Sequence, residues 1–262
     1  MEKDIEPKVS EYYSYPPYPE PIENRPVYPE VLFQIIDKAD QLKGQAFIAV
    51  DIDSTIYDNR PREARIIREF GQAHNIPALT ICTPNHIKDR SLVRTMIQCG
   101  LSKEEAEGLD KQIRAFWVDR FFLNSYCAED RPIKGASNFL NKIQSIGVRI
   151  FYCTGRPKDM EEGTLFCFKR DGFPMPDGHQ TFLYMKPTFY MSDDDSKTLF
   201  YEKLKHQGTM LAAFDNEPLH INGYHQKYPE AIAVHLLTEE SGRGIKVLPT
   251  IPSIRDFYIN IT

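Results

Sequence analysis

The chain has 262 residues, 41% hydrophobic and 26% charged, with a net charge of −5. That suits a soluble globular protein, either one large α/β domain or a core with a smaller insertion. The negative balance leaves no electrostatic footprint for general nucleic-acid binding, and no apolar run approaches the roughly 18 residues of a membrane span. The opening Met-Glu-Lys-Asp-Ile-Glu lacks the pattern of a signal peptide, so a cytoplasmic location is expected. The five cysteines, at 82, 99, 127, 153 and 167, are odd in number and form no CxxC pair. This argues against a disulfide framework or a zinc site.

Residues 7–29 hold seven prolines and five tyrosines, so residues 1–29 are expected to form an extended arm rather than a helix or central strand. Val31, Ile36, Ala39 and Leu42 then fall at helical spacing over residues 30–42, and Gly44 closes that helix. Ala46 to Val50 has no polar side chain, as in a central parallel strand covered on both faces. From Arg62 to His74 the pattern is an amphipathic helix. A second helix is expected from near Ile87 to Cys99. Ser102-Lys-Glu-Glu105 is a capping box opening a third, long helix through Trp117 and Phe121. Residues 60–128 thus contain helices and no convincing strand, an inserted helical cap.

Alternation then returns. A helix through Phe139, Leu140 and Ile143 ends at Gly147, and an apolar strand follows over Val148–Cys153. Further strands are expected at Phe182–Met185, Thr209–Phe214 and Ala231–Leu237, with a helix from about Ser196 to His206. Such alternation means a parallel sheet with helices on both faces. The fold class expected is α/β, a Rossmann-like core of residues 30–59 and 129–262 carrying the cap at 60–128.

Four groups of residues at strand ends carry the chemistry. Asp51-Ile-Asp53 follows the first strand, where open α/β sheets place their ligands. Two acids so close have a use: one attacks an electrophile while the other carries protons, a cation damping their repulsion. Thr154-Gly155-Arg156 follows the second core strand. A hydroxyl and exposed backbone N–H groups suit a phosphate oxygen, and Arg156 can add a bidentate anion contact. Lys197, 18 residues before Asp215, can neutralise an attacking carboxylate and its phosphoryl group. Lys186, directly after a strand, is its rival. Asp215-Asn216-Glu217 again places acids at a strand end, and with Asp51 it suits Mg²⁺. Cys153 lies inside an apolar strand and reads as an inert core thiol.

In this order the motifs resemble the haloacid dehalogenase superfamily of phosphohydrolases: Asp51-Ile-Asp53-Ser-Thr55, then Thr154, then a lysine, then Asp215-Asn-Glu217. The resemblance spans about residues 45–240. It implies Asp51 as nucleophile and Asp53 as general acid/base, with Thr154 and the lysine holding the phosphoryl group. Mg²⁺ would lie on Asp51, the Asp53 backbone carbonyl and Asp215, with Asn216 and Glu217 behind. Thr55, Gly155, Arg156 and Lys186 are placed with the substrate. The insertion is similar to the family's first cap type, and the Thr-Gly-Arg turn looks most like its acid-phosphatase and polynucleotide-phosphatase branches. Two departures stand out: the last motif is Asp-Asn-Glu, and Lys186-Pro187 matches the Lys-Pro of other branches.

The expected function is Mg²⁺-dependent hydrolysis of a small phosphomonoester through an aspartyl-phosphate. Two alternatives are a nucleic-acid 3′-phosphatase, with Arg90, Arg94, Arg114 and Arg120 as a local basic patch, and a non-catalytic binding domain of the same fold. Oligomeric state is not legible in the sequence.

Overall fold

A computed structural model describes residues 25–42 and 44–259. Most of the Pro/Tyr-rich arm lies outside these residues. Its last part is described: Arg25 donates to the carbonyl oxygens of Val247 and Ile251 at 3.0 and 2.8 Å, and Val27 bridges to Ser253.

The centre is a six-stranded, wholly parallel sheet built from β1 (Ala46–Val50), β4 (Arg149–Pro157), β5 (Thr181–Lys186), β6 (Thr209–Asp215), β7 (Ile232–Leu236) and β8 (Ser253–Ile254). Their spatial order is β5-β4-β1-β6-β7-β8. β1 is therefore central, with the chain winding outward on both sides of it. Its all-apolar sequence is explained by burial on both faces.

Alternation divides the residues between two layers. Ile48, Val50, Ile150, Tyr152, Ala212 and Phe214 face one core, covered by α1 (Val31–Leu42), α7 (Ala136–Ser145) and α8 (Glu161–Arg170). Phe47, Ala49, Phe151, Cys153 and Ala213 face the other, covered by α9 (Asp193–Leu204) and α10 (Pro218–Lys227). The core strands and α1 match the sequence pattern closely. α8, α10 and β8 lack a clear periodic signal and are seen only in the structure.

Between β1 and β4 lie α2 (Arg60–Ala73), α3 (Pro77–Thr80), α4 (Leu92–Gln98), α5 (Lys103–Phe121) and α6 (Asn124–Cys127), with no strand among residues 60–127. They enclose a third apolar cluster that includes Ile67, Phe70, Leu79, Met96 and Ile113. α4 begins five residues later than the expected Ile87. The reason is local: Asp89 Oδ1 accepts from Ser91 N–H at 2.8 Å, and Ser91 Oγ in turn accepts from Arg94 N–H at 3.2 Å, so the helix is capped at Ser91. The capping box at Ser102 and Glu105 forms as expected and opens α5.

At its two ends the helical segment is clasped by a short antiparallel pair, β2 (Tyr57–Asp58) with β3 (Arg131–Pro132). Two-residue strands leave no periodic trace in a sequence. No helix of the described residues is long and apolar enough to cross a membrane.

Two glycines should respond to alanine in opposite directions. Gly135 has φ +78°, and a Cβ there would lie 2.5 Å from the Phe257 carbonyl carbon and oxygen. Gly108, inside α5, has nothing within 4 Å of a built Cβ. Urea denaturation should show Gly135→Ala losing at least about 2 kcal/mol, through φ > 0 and backbone overlap, and Gly108→Ala gaining about 0.5–1 kcal/mol. Equal effects of one sign would contradict the packing described.

Candidate active site

The carboxyl ends of β4, β1 and β6 lie side by side, and each contributes to one cavity. The register sets Val50 opposite both Tyr152 and Phe214, so Asp51 emerges level with Cys153 and Asp215. The backbone stays paired to the last residue, with Asp51 N–H donating to the Phe214 carbonyl at 2.9 Å. The chain then turns sharply at Ser54, whose φ is +56°. Ser54 N–H donates to the Tyr57 carbonyl at 2.8 Å and to Asn59 Oδ1 at 2.9 Å, holding this left-handed turn.

Lys197 joins the elements. From the second turn of α9, its ammonium donates to Asp51 Oδ1 at 2.7 Å, Asp215 Oδ2 at 2.8 Å and the Cys153 carbonyl at 2.7 Å. All three of the ammonium's donors are used, one on each of the adjacent strand ends. Burial, with the Asp215 charge adding, pushes the Asp51 carboxyl up to about 7 despite the Lys197 contact. Asp215 is buried too, yet Lys197 and His220 hold its carboxyl below the usual range. Lys186 is elsewhere: its ammonium donates to Asp193 Oδ1 at 2.8 Å and does not line the cavity.

Thr55 sits between the first and last motifs. Its hydroxyl lies 3.1 Å from Asn216 Oδ1 and 3.4 Å from Asp51 Oδ2, and accepts from Asn216 N–H at 3.1 Å. Thr55 is fully buried. It braces the two strand ends and is not among the residues lining the cavity. Asn216 Nδ2 donates to the Glu239 carbonyl. Glu217 accepts from the N–H and hydroxyl of Ser241 at 3.0 and 2.6 Å, so it anchors the following loop.

Asp53 points away from Lys197. Its carboxylate takes Arg156 Nη2 at 2.6 Å and Nε at 3.0 Å, with Arg62 Nη2 at 3.3 Å. Burial opposes ionisation there, but Arg156 and Arg62 hold the carboxyl down at about 2. The two arginines also share Asp130: Arg62 Nε donates to it at 2.8 Å and Arg156 Nη2 at 2.7 Å. Arg156 donates once more, to the Thr164 hydroxyl at 3.0 Å. Only 1% exposed, it is engaged by protein partners, and it stands in the cavity lining with Thr154 and Gly155.

β4 runs on through Pro157 instead of ending at Cys153, with an irregularity after Thr154. Within it Arg156 N–H donates to Thr154 Oγ1 at 3.1 Å, and a Cβ on Gly155 would approach the Asp193 carboxylate to 3.0 Å. Thr154 and Gly155 both line the cavity.

The cavity is about 210 Å³, with Asp51, Asp53, Lys197 and Asp215 on one wall. Arg114, Trp117 and Phe121 of α5 form part of the opposite wall, the Trp117 and Phe121 rings stacked at 4.2 Å. Three lining residues hold a buried polar atom without a hydrogen-bond partner: Asn59 Nδ2, Trp117 Nε1 and Glu239 Oε1. Burial, with Asp58 adding, pushes the Glu239 carboxyl up to about 7.

Arg62 and Asp130 were invisible as site residues in the sequence, being 68 positions apart. The available hint is positional, since they stand near the two ends of the helical segment. The arginines expected to form a basic patch are dispersed. Arg90 and Arg114 line the cavity, Arg94 pairs with Asp89, and the Arg120 guanidinium lies 3.3 Å from the centre of the Phe116 ring. Cys153 is fully buried, with its thiol pushed up to about 12 by burial, an inert core group as expected.

No family model and no curated protein matches the sequence. Solved structures do resemble it. Protein tyrosine kinase A of Mycobacterium tuberculosis aligns at a TM-score of 0.51 and 16% identity, over 81% of this chain and 94% of that one. A hydrolase of the haloacid dehalogenase-like family from Streptococcus pneumoniae aligns at 0.45 and 13%, over 74% and 86%. A class C acid phosphatase from Bacillus anthracis aligns at 0.38 and 16%, over 72% and 62%. At such identities the likeness is one of fold alone, a Rossmann-like α/β architecture with a six-stranded parallel sheet.

Proposed function

We propose that this chain is a phosphoric monoester hydrolase of the haloacid dehalogenase superfamily, with residues 30–59 and 129–262 as its core and 60–128 as its cap. One observation carries the reading: Asp51, Lys197 and Asp215 meet at the carboxyl ends of three adjacent strands. Asp51 Oδ1 is held by Lys197, while Oδ2 has only the 3.4 Å contact with Thr55. That second oxygen is the free nucleophile. It attacks phosphorus as the ester oxygen leaves, giving an aspartyl-phosphate that water then hydrolyses. Thr154 and the Gly155 backbone, beside Asp51 on β4, hold the phosphoryl oxygens.

Mg²⁺ fits the donor set. Asp53 is neutralised by arginines, leaving the Asp51 and Asp215 carboxyls to share one lysine, an arrangement to which a cation adds the positive charge that keeps Asp51 ionised. The candidate ligands are all oxygens, from Asp51, Asp215 and the Asp53 backbone carbonyl, the set a hard divalent cation prefers. A cation there supplies charge that lets a carboxylate approach a phosphate. Asp53, ionised beside Arg156 and Arg62, is in the form that takes a proton from the attacking water. To protonate the departing ester oxygen it must first take up a proton from solvent, which requires release from its arginine partners.

The substrate is a small phosphorylated molecule. The cavity volume suits one, and a polar leaving group would give the unpaired Trp117, Asn59 and Glu239 atoms partners. Of the four arginines expected to form a basic patch, only Arg90 and Arg114 line the cavity, which favours a small phosphorylated substrate over a nucleic-acid end. All five cysteines are free and buried, which suits a reducing cytoplasm.

Two measurements test this. With an aryl phosphate and Mg²⁺, Asp51→Asn should fold normally yet lose more than about nine-tenths of kcat, and chelator should silence the parent enzyme reversibly. Retained turnover in Asp51→Asn would remove the nucleophile. Lys197→Met should cost on the order of a hundredfold or more in kcat/KM, whereas Lys186→Met, which frees only the half-exposed Asp193, should change it little. The reverse pattern would move the phosphate-binding role to Lys186.

A further inference from the structure

The third apolar cluster holds a grouping of donors that the active site does not use. Cys82, in the loop after α3, Cys99, at the C-terminal cap of α4, and His86, in the 3₁₀ turn at Pro84–His86, bring their donor atoms within 4.8 Å of one another. Both thiols are free and buried, and His86 is half-buried at the edge. Two buried thiols alone are ordinary core residues. A third donor of a different chemistry, converging from a separate turn, is what sets this cluster apart.

The geometry points to a zinc site in the helical segment, with the Cys82 and Cys99 thiolates and the His86 imidazole as ligands and a water completing the tetrahedron. Ligands at zinc–sulfur and zinc–nitrogen lengths in a tetrahedron stand about 3.5–3.8 Å apart, so closing on an ion asks each donor to move by less than ~1 Å. Two sulfurs and an imidazole select zinc over Mg²⁺, which separates this site chemically from the oxygen donors of the cavity. His86 is already oriented by Thr83, whose N–H donates to Nδ1 at 2.9 Å and whose hydroxyl lies 3.0 Å from the same atom. In the N–H contact Nδ1 accepts, so ligation through Nε2 requires the ring proton to move to Nδ1 and the Thr83 N–H contact to open, leaving the Thr83 hydroxyl as its acceptor.

Such an ion would tie the segment from Cys82 to Ser91, which has only one 3₁₀ turn of regular structure, to the end of α4. That segment carries Arg90 into the cavity wall. The clamp therefore acts on cap geometry and not on the phosphoryl chemistry, and the inference stands independently of the proposed activity. The sequence argued the other way, because positions 82, 86 and 99 form no CxxC pair.

The test uses the full chain, stripped of metal and kept reduced, titrated with Zn²⁺ against a chromophoric chelator and separately with Co²⁺. About one equivalent of Zn²⁺ should bind at a site that excess Mg²⁺ does not displace. Co²⁺ should give the near-ultraviolet thiolate charge-transfer band that oxygen ligands cannot produce. Cys82→Ser and Cys99→Ser should abolish the band, and His86→Gln, a half-buried change that leaves the core intact, should weaken Zn²⁺ binding at least about tenfold while the circular dichroism is unchanged. No thiolate band in the reduced protein, or Zn²⁺ binding unaltered in all three variants, would overturn the site. Neither readout depends on turnover, so loss of the phosphatase reading would leave this result standing.

Discussion

The ammonium of Lys197 is the interaction on which the site depends. Its three hydrogen bonds reach Asp51, Asp215 and the Cys153 carbonyl, so one side chain binds the ends of β1, β6 and β4. Without it, two carboxylates would face each other in a nearly dry pocket, an arrangement that low dielectric penalises heavily. Those bonds also dictate where α9 must lie. Ser192 caps it by accepting from Asp195 N–H at 3.0 Å, and Phe200, Tyr201 and Leu204 seat it on the sheet. The cap and the apolar seat set the height at which Lys197 meets the strand ends.

A second buried network ties the chemistry to the helical segment. Arg62 lies in the first turn of α2, Asp130 precedes β3, Arg156 belongs to β4 and Asp53 follows β1, so four separated pieces of chain share one set of ion pairs. Buried pairs of this kind add little net stability compared with apolar packing, but removing one partner strands the others and costs about 3–5 kcal/mol. Their contribution is placement. The arginines fix the direction of the Asp53 carboxylate and its charge state, and they link both to the position of the segment that walls the cavity.

What the sequence made legible follows from where the physical signal is local. Ala46 to Val50 is apolar because both faces are covered, and the Ser102 capping box opens α5 because both halves of the box lie within four residues. The order of the motif acids could be read because each follows such a strand. Pairings formed by the fold itself could not. Arg156 was read as an anion ligand because Thr-Gly-Arg at a strand end has that form. Nothing nearby in the chain announces that Asp53 and Asp130 will claim it. The choice between Lys186 and Lys197 needed the same information, since both lie near element ends and only the packing of α9 separates them. α10, with Gly223 packed against the Tyr201 ring, hides its buried face behind a weak periodicity.

The cavity joins two cores that have no residues in common. Asp51, Lys197 and Asp215 rest on the two layers of the sheet, while Trp117 and Phe121 stand on α5, in the segment with its own apolar cluster. Crossings join the two parts at the β2–β3 pair, through Arg62, and where α6 packs on α8, with Asn124 Oδ1 accepting from Gly163 N–H at 2.6 Å. Substitutions on α5 away from Phe121, whose carbonyl and ring both contact Arg62, can therefore reshape one wall at little cost to the packing that positions the acids. The converse does not hold: Arg62 and Asp130 lie at the crossings, so a change there alters the aim of Asp53 as well as the seat of the segment. Tolerance to change should thus rise with distance from the crossings along α5, and Arg114, whose partner Asp110 is on the same helix, is the lining residue freest to vary.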